Sequence, residues 1–241
     1  MKKLFVVGIG PGKLSHMTEE AKKAISESEV VCGYPKYIKN IQALLDGKEV
    51  YQTGMRKEVE RCQKAIEMAA SGKTTAIVSS GDAGVYGMAG LIYELACDVE
   101  IQIEVVPGLT SLLSAAAELG APLMHDFAVI SLSDILTKKD LIIKRLEATS
   151  KADFVIALYN PKSKNRPDIL NEAIAIIKKH KKLNTPVGIV RNSGTCTPEI
   201  RTGTLETFSD EGCDMSTLIV IGNNSTKFIN GKMVTPRGYR L

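Results

Sequence analysis

Short runs of apolar, often β-branched residues recur along the chain, and several end in glycine just before a helical pattern begins. Leu4-Phe5-Val6-Val7 runs into Gly8-Ile9-Gly10-Pro11-Gly12, Thr74–Val78 into Ser79-Ser80-Gly81-Asp82-Ala83-Gly84, and Ile101–Val106 into Pro107-Gly108. Runs this short, alternating with helical periodicity, predict an α/β fold. In an open α/β sheet, ligands lie beyond the carboxyl ends of the strands. Glycine at those ends lets the backbone turn tightly and approach a ligand closely. Three such exits in one half of the chain imply a pocket built largely from backbone.

The same reading places the other elements. Thr18 is an N-cap for a helix to about Ser28, with Glu19 and Glu20 at the positive end of its dipole. Glu29–Cys32 is a strand. Lys57–Ala70 is a helix burying Val59, Cys62, Ile66 and Ala69; Val85–Ala96 and Thr110–Leu119 are further helices. Gly120-Ala121-Pro122 punctuates mid-chain and divides it into an N-terminal α/β domain over 1–120 and a C-terminal α/β domain over 121–241. In the second half, strands are predicted at Phe127–Leu132, Phe154–Leu158, Val187–Val190 and Leu218–Ile221. Helices are predicted at Lys139–Thr149 and from Pro167, the latter burying Ile169, Leu170, Ala173, Ile176 and Ile177. Phe228-Ile229-Asn230-Gly231-Lys232-Met233-Val234 reads as a hairpin with a type I′ turn. The Lys178–Lys182 cluster reads as a solvated helix end.

Composition narrows the function classes. With 44% hydrophobic and 24% charged residues, the 241-residue chain is neither disordered nor fibrous. Its net charge of +4 is too mild for a strong nucleic-acid binder but suits a polyanionic small molecule. The apolar start is far shorter than the roughly 20 residues that span a bilayer, and it lacks a small-residue cleavage site, so a cytoplasmic protein is expected. Cys32, Cys62, Cys97, Cys196 and Cys213 show no metal-ligand spacing, and only three histidines are present. No protein-held metal is therefore predicted, and the cysteines are expected as buried, reduced thiols.

Gly8–Gly12 is not read as a dinucleotide fingerprint. Pro11 removes a backbone N–H, the helix starts several residues late, and the second strand ends in Cys32-Gly33-Tyr34 rather than an acid. No Gly-Lys-Ser/Thr of a P-loop is present. Asp82 either caps the next helix or accepts hydrogen bonds from a ligand, and Thr110 and Ser111 carry the same two readings. Met124-His125-Asp126 offers a group that could bind or protonate a substrate, and Ser131-Leu132-Ser133-Asp134 is a polar strand end. Tyr159–Arg166 combines a strand exit with Lys162, Lys164 and Arg166, and Arg191-Asn192 forms another exit where arginine could meet a carboxylate. No nucleophile–base signature is present, which points to a site that binds and orients.

Taken in order, Gly8-Ile9-Gly10-Pro11-Gly12, Ser80-Gly81-Asp82-Ala83-Gly84-Val85-Tyr86-Gly87 and Pro107-Gly108-Leu109-Thr110-Ser111 resemble the tetrapyrrole methylases. Many members carry proline where this chain has Ala83. Gly33-Tyr34, Thr53-Gly54-Met55, Gly120–Phe127, Ile130–Asp134, Tyr159-Asn160-Pro161 and Thr235–Tyr239 are similar to the branch acting on ring carbon 17. The resemblance implies two α/β domains with the active site in the cleft between them, a homodimer, and S-adenosylmethionine as methyl donor. It implies that Pro11, Gly81, Asp82, Val85, Tyr86, Thr110 and Ser111 contact the donor, with Tyr159, Arg191 and Asn192 approaching from the second domain. It implies methylation of C-17 of cobalt-factor III or cobalt-precorrin-3B with ring contraction to cobalt-precorrin-4, the cobalt belonging to the substrate. Gly12, Tyr34, Met55, Lys162 and Arg166 are expected at the tetrapyrrole, with Arg191 a further partner for its carboxylates. His125 and Asp126, with Asp134 behind them, are expected to assist contraction. Methylation at another ring carbon, a methylase of the same fold acting on protein or RNA, and tetrapyrrole binding without catalysis are the competing readings; the modest charge and the lack of interleaved basic and aromatic segments disfavour RNA.

Overall fold

The computed structural model describes residues 2–163 and 166–240, so the expectation at Lys164 lies outside the described residues. The chain packs as two units. One comprises the chain up to Ser111 together with Gly194–Cys196; the other comprises Leu112–Ser193 and the chain from Thr197 onward.

In the first unit, β1 (Lys3–Gly8), α1 (Glu19–Glu27), β2 (Val30–Gly33), α2 (Pro35–Asn40), β3 (Glu49–Gln52), α3 (Glu58–Ala70), β4 (Thr75–Ser79), α4 (Ala89–Leu95) and β5 (Gln102–Val106) follow one another. The strands form a parallel sheet in the order β3-β2-β4-β1-β5. All five exits therefore lie along one edge. The sheet is buried on both faces: Phe5, Val7 and Val31 pack on the α1 side with Ile25, while Leu4, Val6 and Ile77 pack against Cys62 and Ile66 of α3. Thr18 caps α1 as expected, its hydroxyl accepting from the Ala21 N–H at 3.0 Å.

Two helices differ from expectation. In α3 the face includes Arg61, 4% exposed, while Val59 is 50% exposed. Arg61 can be buried because its guanidinium donates to the Thr53 carbonyl and to Thr53 Oγ1. And α4 starts at Ala89 rather than Val85. Residues 84–88 instead wrap as a loop in which Tyr86 takes a left-handed φ of 55°. Gly87 is needed there, since a Cβ would fall on the Ala83 carbonyl group.

The second unit begins within α5 (Ser111–Leu119) and continues through β6 (Gly120–Ala121), β7 (Phe127–Ser131), α6 (Lys139–Lys151), β8 (Val155–Tyr159), α7 (Ile169–Lys178), β9 (Pro186–Arg191), β10 (Glu199–Thr204), β11 (Thr217–Ile221), β12 (Lys227–Ile229) and β13 (Lys232–Val234). Its main sheet has the order β10-β9-β11-β8-β7. The β7–β8 pair is parallel and β11 and β10 run antiparallel to their neighbours. The exits of β7, β8 and β9 consequently share one edge. The predicted hairpin is β12–β13, with Asn230 and Gly231 both at positive φ as a type I′ turn requires. Its second strand pairs with β6, a two-residue strand inside the segment expected only to be punctuation.

α7 buries all five expected apolar residues, its Ile and Leu side chains each contributing on the order of 1.5–3 kcal/mol and Ala173 less. Pro167, expected in its first turn, precedes the N-cap Asp168; the neighbouring Arg166 is tied to the Leu132 carbonyl instead. The lysine cluster after α7 is not wholly solvated. Lys181 is 5% exposed and donates to Asp153 and to the Phe154 carbonyl. The cysteines also divide. Burial holds Cys32 and Cys62 up at about 12 and about 11, whereas Cys97 and Cys196 are exposed because they lie beyond the last apolar turn of α4 and in the β9–β10 connection.

Candidate active site

The exits of β1, β4 and β5 are joined by backbone. Gly10 and Gly81 exchange N–H···O bonds at 3.0 and 2.8 Å, and the Ile9 N–H donates to the Ser79 carbonyl at 3.0 Å. The glycines are needed for this approach: a Cβ on Gly8 would stand 2.7 Å from the Gly108 nitrogen and 2.8 Å from the Gly81 oxygen. Asp82 does not cap α4. Its Oδ1 accepts from Gly84 and Val85 at 2.8 and 3.1 Å, and its Oδ2 from Gly108 at 2.9 Å. One carboxylate thus braces the β4 exit against the β5 exit. Val85 and Tyr86 are held on this braced loop with 39% and 54% of their surface exposed. Thr110 and Ser111 lie close by, with their backbone 3.7 Å from where a Gly81 Cβ would sit. Pro11, Gly81, Asp82, Val85, Tyr86, Thr110 and Ser111 therefore share one edge of the first unit.

Sequence reasoning missed two parts of this edge. The segment Gly194–Cys196 packs here, although it follows β9 in sequence. The Lys13 N–H donates to the Gly194 carbonyl at 3.0 Å, and a Cβ on Gly12 would meet Thr195 Cγ2 at 3.0 Å. The other is Arg61, which clamps the β3 exit; a charged residue on a helix face carries no sequence signal of burial. Tyr34 opens α2 at the β2 exit with its ring edge-on to Tyr37, centroids 5.3 Å apart, and Met55 stands 70% exposed at the β3 exit.

The remaining expected residues fall in the second unit. Tyr159 ends β8 and its hydroxyl accepts from the Leu112 N–H at 2.9 Å. Arg191 ends β9 and holds Asp214 at 2.9 Å and Glu199 at 2.7 Å; Asn192 follows at φ 54°. Lys162 pairs with Asp210 at 2.5 Å. Arg166 and Asp134, expected to act separately, face each other at 3.6 Å. His125 and Asp126 are not brought to Asp134. They precede β7 and Asp134 follows it, so a five-residue strand, roughly 16 Å long, separates them. The pair instead borders a groove of 420 Å³ with Asp153, Phe154, Asn223 and Asn224 at the opposite edge of the sheet. His125 Nδ1 accepts from the Asp126 N–H at 2.9 Å. Among the described residues no group of three or more His, Cys, Asp or Glu could hold a metal ion.

Apart from Asp82, Gly8–Gly12, Ser79–Met88 and Val106–Ser111 contain no charged side chain. These exits lie along the carboxyl edge of a parallel sheet, where open α/β folds place their ligands, and the polar groups they offer are mostly backbone. A profile of the Tetrapyrrole (Corrin/Porphyrin) Methylases matches residues 3–209, and the chain belongs to this family. It is 47% identical to the "Probable cobalt-factor III C(17)-methyltransferase" of Salmonella typhimurium, across 99% of this chain and 100% of that one. It is 46% identical to the "Cobalt-factor III methyltransferase" of Priestia megaterium over 99% of its own length, but spans only 45% of that relative. The crystal structure of the methyltransferase CobJ superposes with a TM-score of 0.92 at 34% identity, covering 97% of this chain and 99% of that one.

The family depends on S-adenosylmethionine. That molecule carries an adenine ring, hydroxyls, a zwitterionic amino-acid group and a sulfonium cation, with no phosphate. The edge fits it: backbone donors and acceptors, the Thr110 and Ser111 hydroxyls, an exposed Tyr86 ring, and no cation in the three loops to repel a sulfonium.

Proposed function

We propose that this protein transfers a methyl group from S-adenosylmethionine to C-17 of cobalt-factor III or cobalt-precorrin-3B, with ring contraction to cobalt-precorrin-4, a two-electron reductant completing the balance when cobalt-factor III is the substrate, in anaerobic cobalamin synthesis. The observation that carries this reading is the 47% identity to a relative bearing that activity in its name, over essentially the full length of both chains. Cobalt enters as part of the substrate. The protein works as a cytoplasmic homodimer, and the unit up to Ser111 with Gly194–Cys196, rather than residues 1–120, is its donor-binding domain.

When bound, S-adenosylmethionine supplies a methyl group that is already electrophilic, so methyl transfer needs no nucleophilic side chain. The chain's task is alignment, which can supply on the order of 7–11 kcal/mol. Pro11, Gly81, Asp82, Val85, Tyr86, Thr110 and Ser111 hold the donor. Asp82 acts through the loops it braces as well as by its charge, which favours a cationic ligand. Gly12, Tyr34 and Met55 border the tetrapyrrole. Ring contraction moves protons, and Asp134, His125 and Asp126 are the groups proposed for it. Asp134 shares a strand-exit edge with Tyr159 and Arg191, where ligands bind in such sheets, so it takes precedence over the pair at the other edge.

The test is anaerobic incubation with S-adenosylmethionine, cobalt-factor III and a two-electron reductant, read by mass spectrometry and NMR. One added methyl at C-17 with a contracted ring is expected. Donor binding without methyl transfer, or methylation at another carbon, overturns the assignment. In the same assay Asp134→Asn is expected to give methylated but less contracted product, and unchanged contraction removes Asp134 from that role.

A further inference from the structure

The cations first expected to meet substrate carboxylates are already engaged. Lys162 holds Asp210, Arg166 faces Asp134, and Arg191 is held by both Asp214 and Glu199. The strand-exit edge of the first unit is different. Its exits carry Lys13 after β1, Lys36 after β2, and Arg56 and Lys57 after β3. Lys57 is taken by Glu60 at 2.5 Å. Lys13, Lys36 and Arg56 have no carboxylate partner among the described residues. Asp82, the one acid in the β4 exit, is occupied by three backbone N–H groups. This edge therefore has cationic charge that the protein itself does not neutralise.

Arg56 is the best placed of the three. It is exposed, and its backbone is left-handed with φ 63°, a conformation arginine rarely adopts unless its surroundings impose it. The loop that leads into it is held by Arg61. Buried beneath the loop, its Nη1 donates to the Thr53 carbonyl at 3.2 Å and to Thr53 Oγ1 at 2.6 Å, with the Gly54 carbonyl at 3.5 Å. Thr53 is tied in turn to the Gly33 carbonyl at the end of β2 and, through its hydroxyl, to the Lys57 carbonyl. A buried arginine thus fixes the backbone on both sides of Gly54, so the next residues, Met55 and Arg56, project from a rigid base. From β3 to β1 the edge crosses four strands, about 14 Å at roughly 4.8 Å per neighbouring pair.

We propose that Arg56 binds a peripheral carboxylate of the tetrapyrrole, with Arg61 as the residue that positions it. A planar guanidinium on a fixed loop can meet a carboxylate with two parallel hydrogen bonds, and the uncompensated charge along the edge favours a ligand with several carboxylates. The inference rests on the tetrapyrrole reading of the site and names the group that selects it.

The experiment measures equilibrium binding of cobalt-factor III by its visible absorption and S-adenosylmethionine by calorimetry, alongside turnover. Arg56→Gln is expected to weaken cobalt-factor III binding by about tenfold or more, leaving donor binding unchanged, and Arg56→Lys to recover part of the loss. Arg61→Lys is expected to weaken the same binding, but to add little in an Arg56→Gln background, because it acts through Arg56. Unchanged tetrapyrrole affinity in Arg56→Gln overturns the proposal, and additive losses in the double variant overturn the role of Arg61. If the wild type binds cobalt-factor III in an Arg56-dependent way but transfers no methyl group, the inference stands and the proposed reaction fails. If it does not bind cobalt-factor III, both fall.

Discussion

The two units present strand-exit edges built on opposite principles. In the first, three exits are stitched by backbone hydrogen bonds and glycine contacts, with one carboxylate satisfied by N–H groups. In the second, side chains do the stitching: Lys162–Asp210, Arg166–Asp134 and Arg191–Asp214–Glu199 neutralise one another around the exits of β7, β8 and β9. The difference shows that the position of a charged residue at a strand exit does not establish that it meets a ligand. The first edge leaves Lys13, Lys36 and Arg56 without a carboxylate partner among the described residues, whereas the second holds Lys162, Arg166 and Arg191 each against an acid.

The comparison breaks most readily at Gly108. A Cβ there would lie 2.6 Å from the Gly8 carbonyl carbon and against the Gly81 oxygen, both backbone atoms that cannot yield. Gly108→Ala is expected to cost about 3 kcal/mol or more in urea unfolding and to abolish donor binding. Gly81→Ala, whose Cβ would meet its nearest atoms, Ser111 N and Thr110 Cα, at an ordinary 3.7 Å but at a φ of +71°, is expected to cost only about 1–2 kcal/mol. Equal losses would show that close approach is not what holds this edge together. Asp82→Asn comes next. It removes the charge while keeping one oxygen acceptor for three donors, so a loss of about 1.5–3 kcal/mol and a donor affinity weakened by about tenfold are expected by calorimetry.

The smallest effect lies in the ion-paired edge. The Lys162 ammonium draws the Asp210 pKa down. Burial works to raise that of Asp214, but hydrogen bonds from Arg191, the Ser216 N–H and Thr217 outweigh it and lower it on balance. Carboxylates depressed in the folded state stabilise it above their unfolded pKa of about 3.9, and that contribution is lost as pH falls through the folded values. Unfolding midpoints are therefore expected to drop below about pH 4 in the wild type. They should drop less in Asp210→Asn and Asp214→Asn, each partly exposed pair contributing about 1 kcal/mol or less. A pH slope identical in all three proteins would show that these pairs add nothing to the second unit.

Much of the architecture was legible from local pattern. The strands from β1 to β11 with strong apolar runs, the Thr18 cap, the buried face of α7 and the Asn230-Gly231 turn all follow from interactions within a few residues. The elements that escaped, β3, β6, β10 and α2, are short or exposed and owe their form to a neighbouring strand or loop. The glycine loops were readable as close backbone turns at strand exits, and the structure shows Gly8, Gly81 and Gly108 in that close approach. The roles of individual polar residues were not. Asp82 could be read from sequence as a ligand contact or, less readily, as a cap, and its carboxylate braces the β4 and β5 exits, far apart in the chain.

By itself the sequence determined the α/β class, the location of the backbone-built exits and the family, since each rests on local periodicity or on the order of short motifs. Tertiary structure alone decided which charges are free. Arg61 is buried because Thr53 and Gly54 turn their carbonyls toward it; Lys181 is buried because Asp153 and Phe154 receive it; Arg191 is neutralised by acids 8 and 23 residues away. Burial and pairing of a charge depend on partners distant in sequence, and only the folded chain brings those partners together.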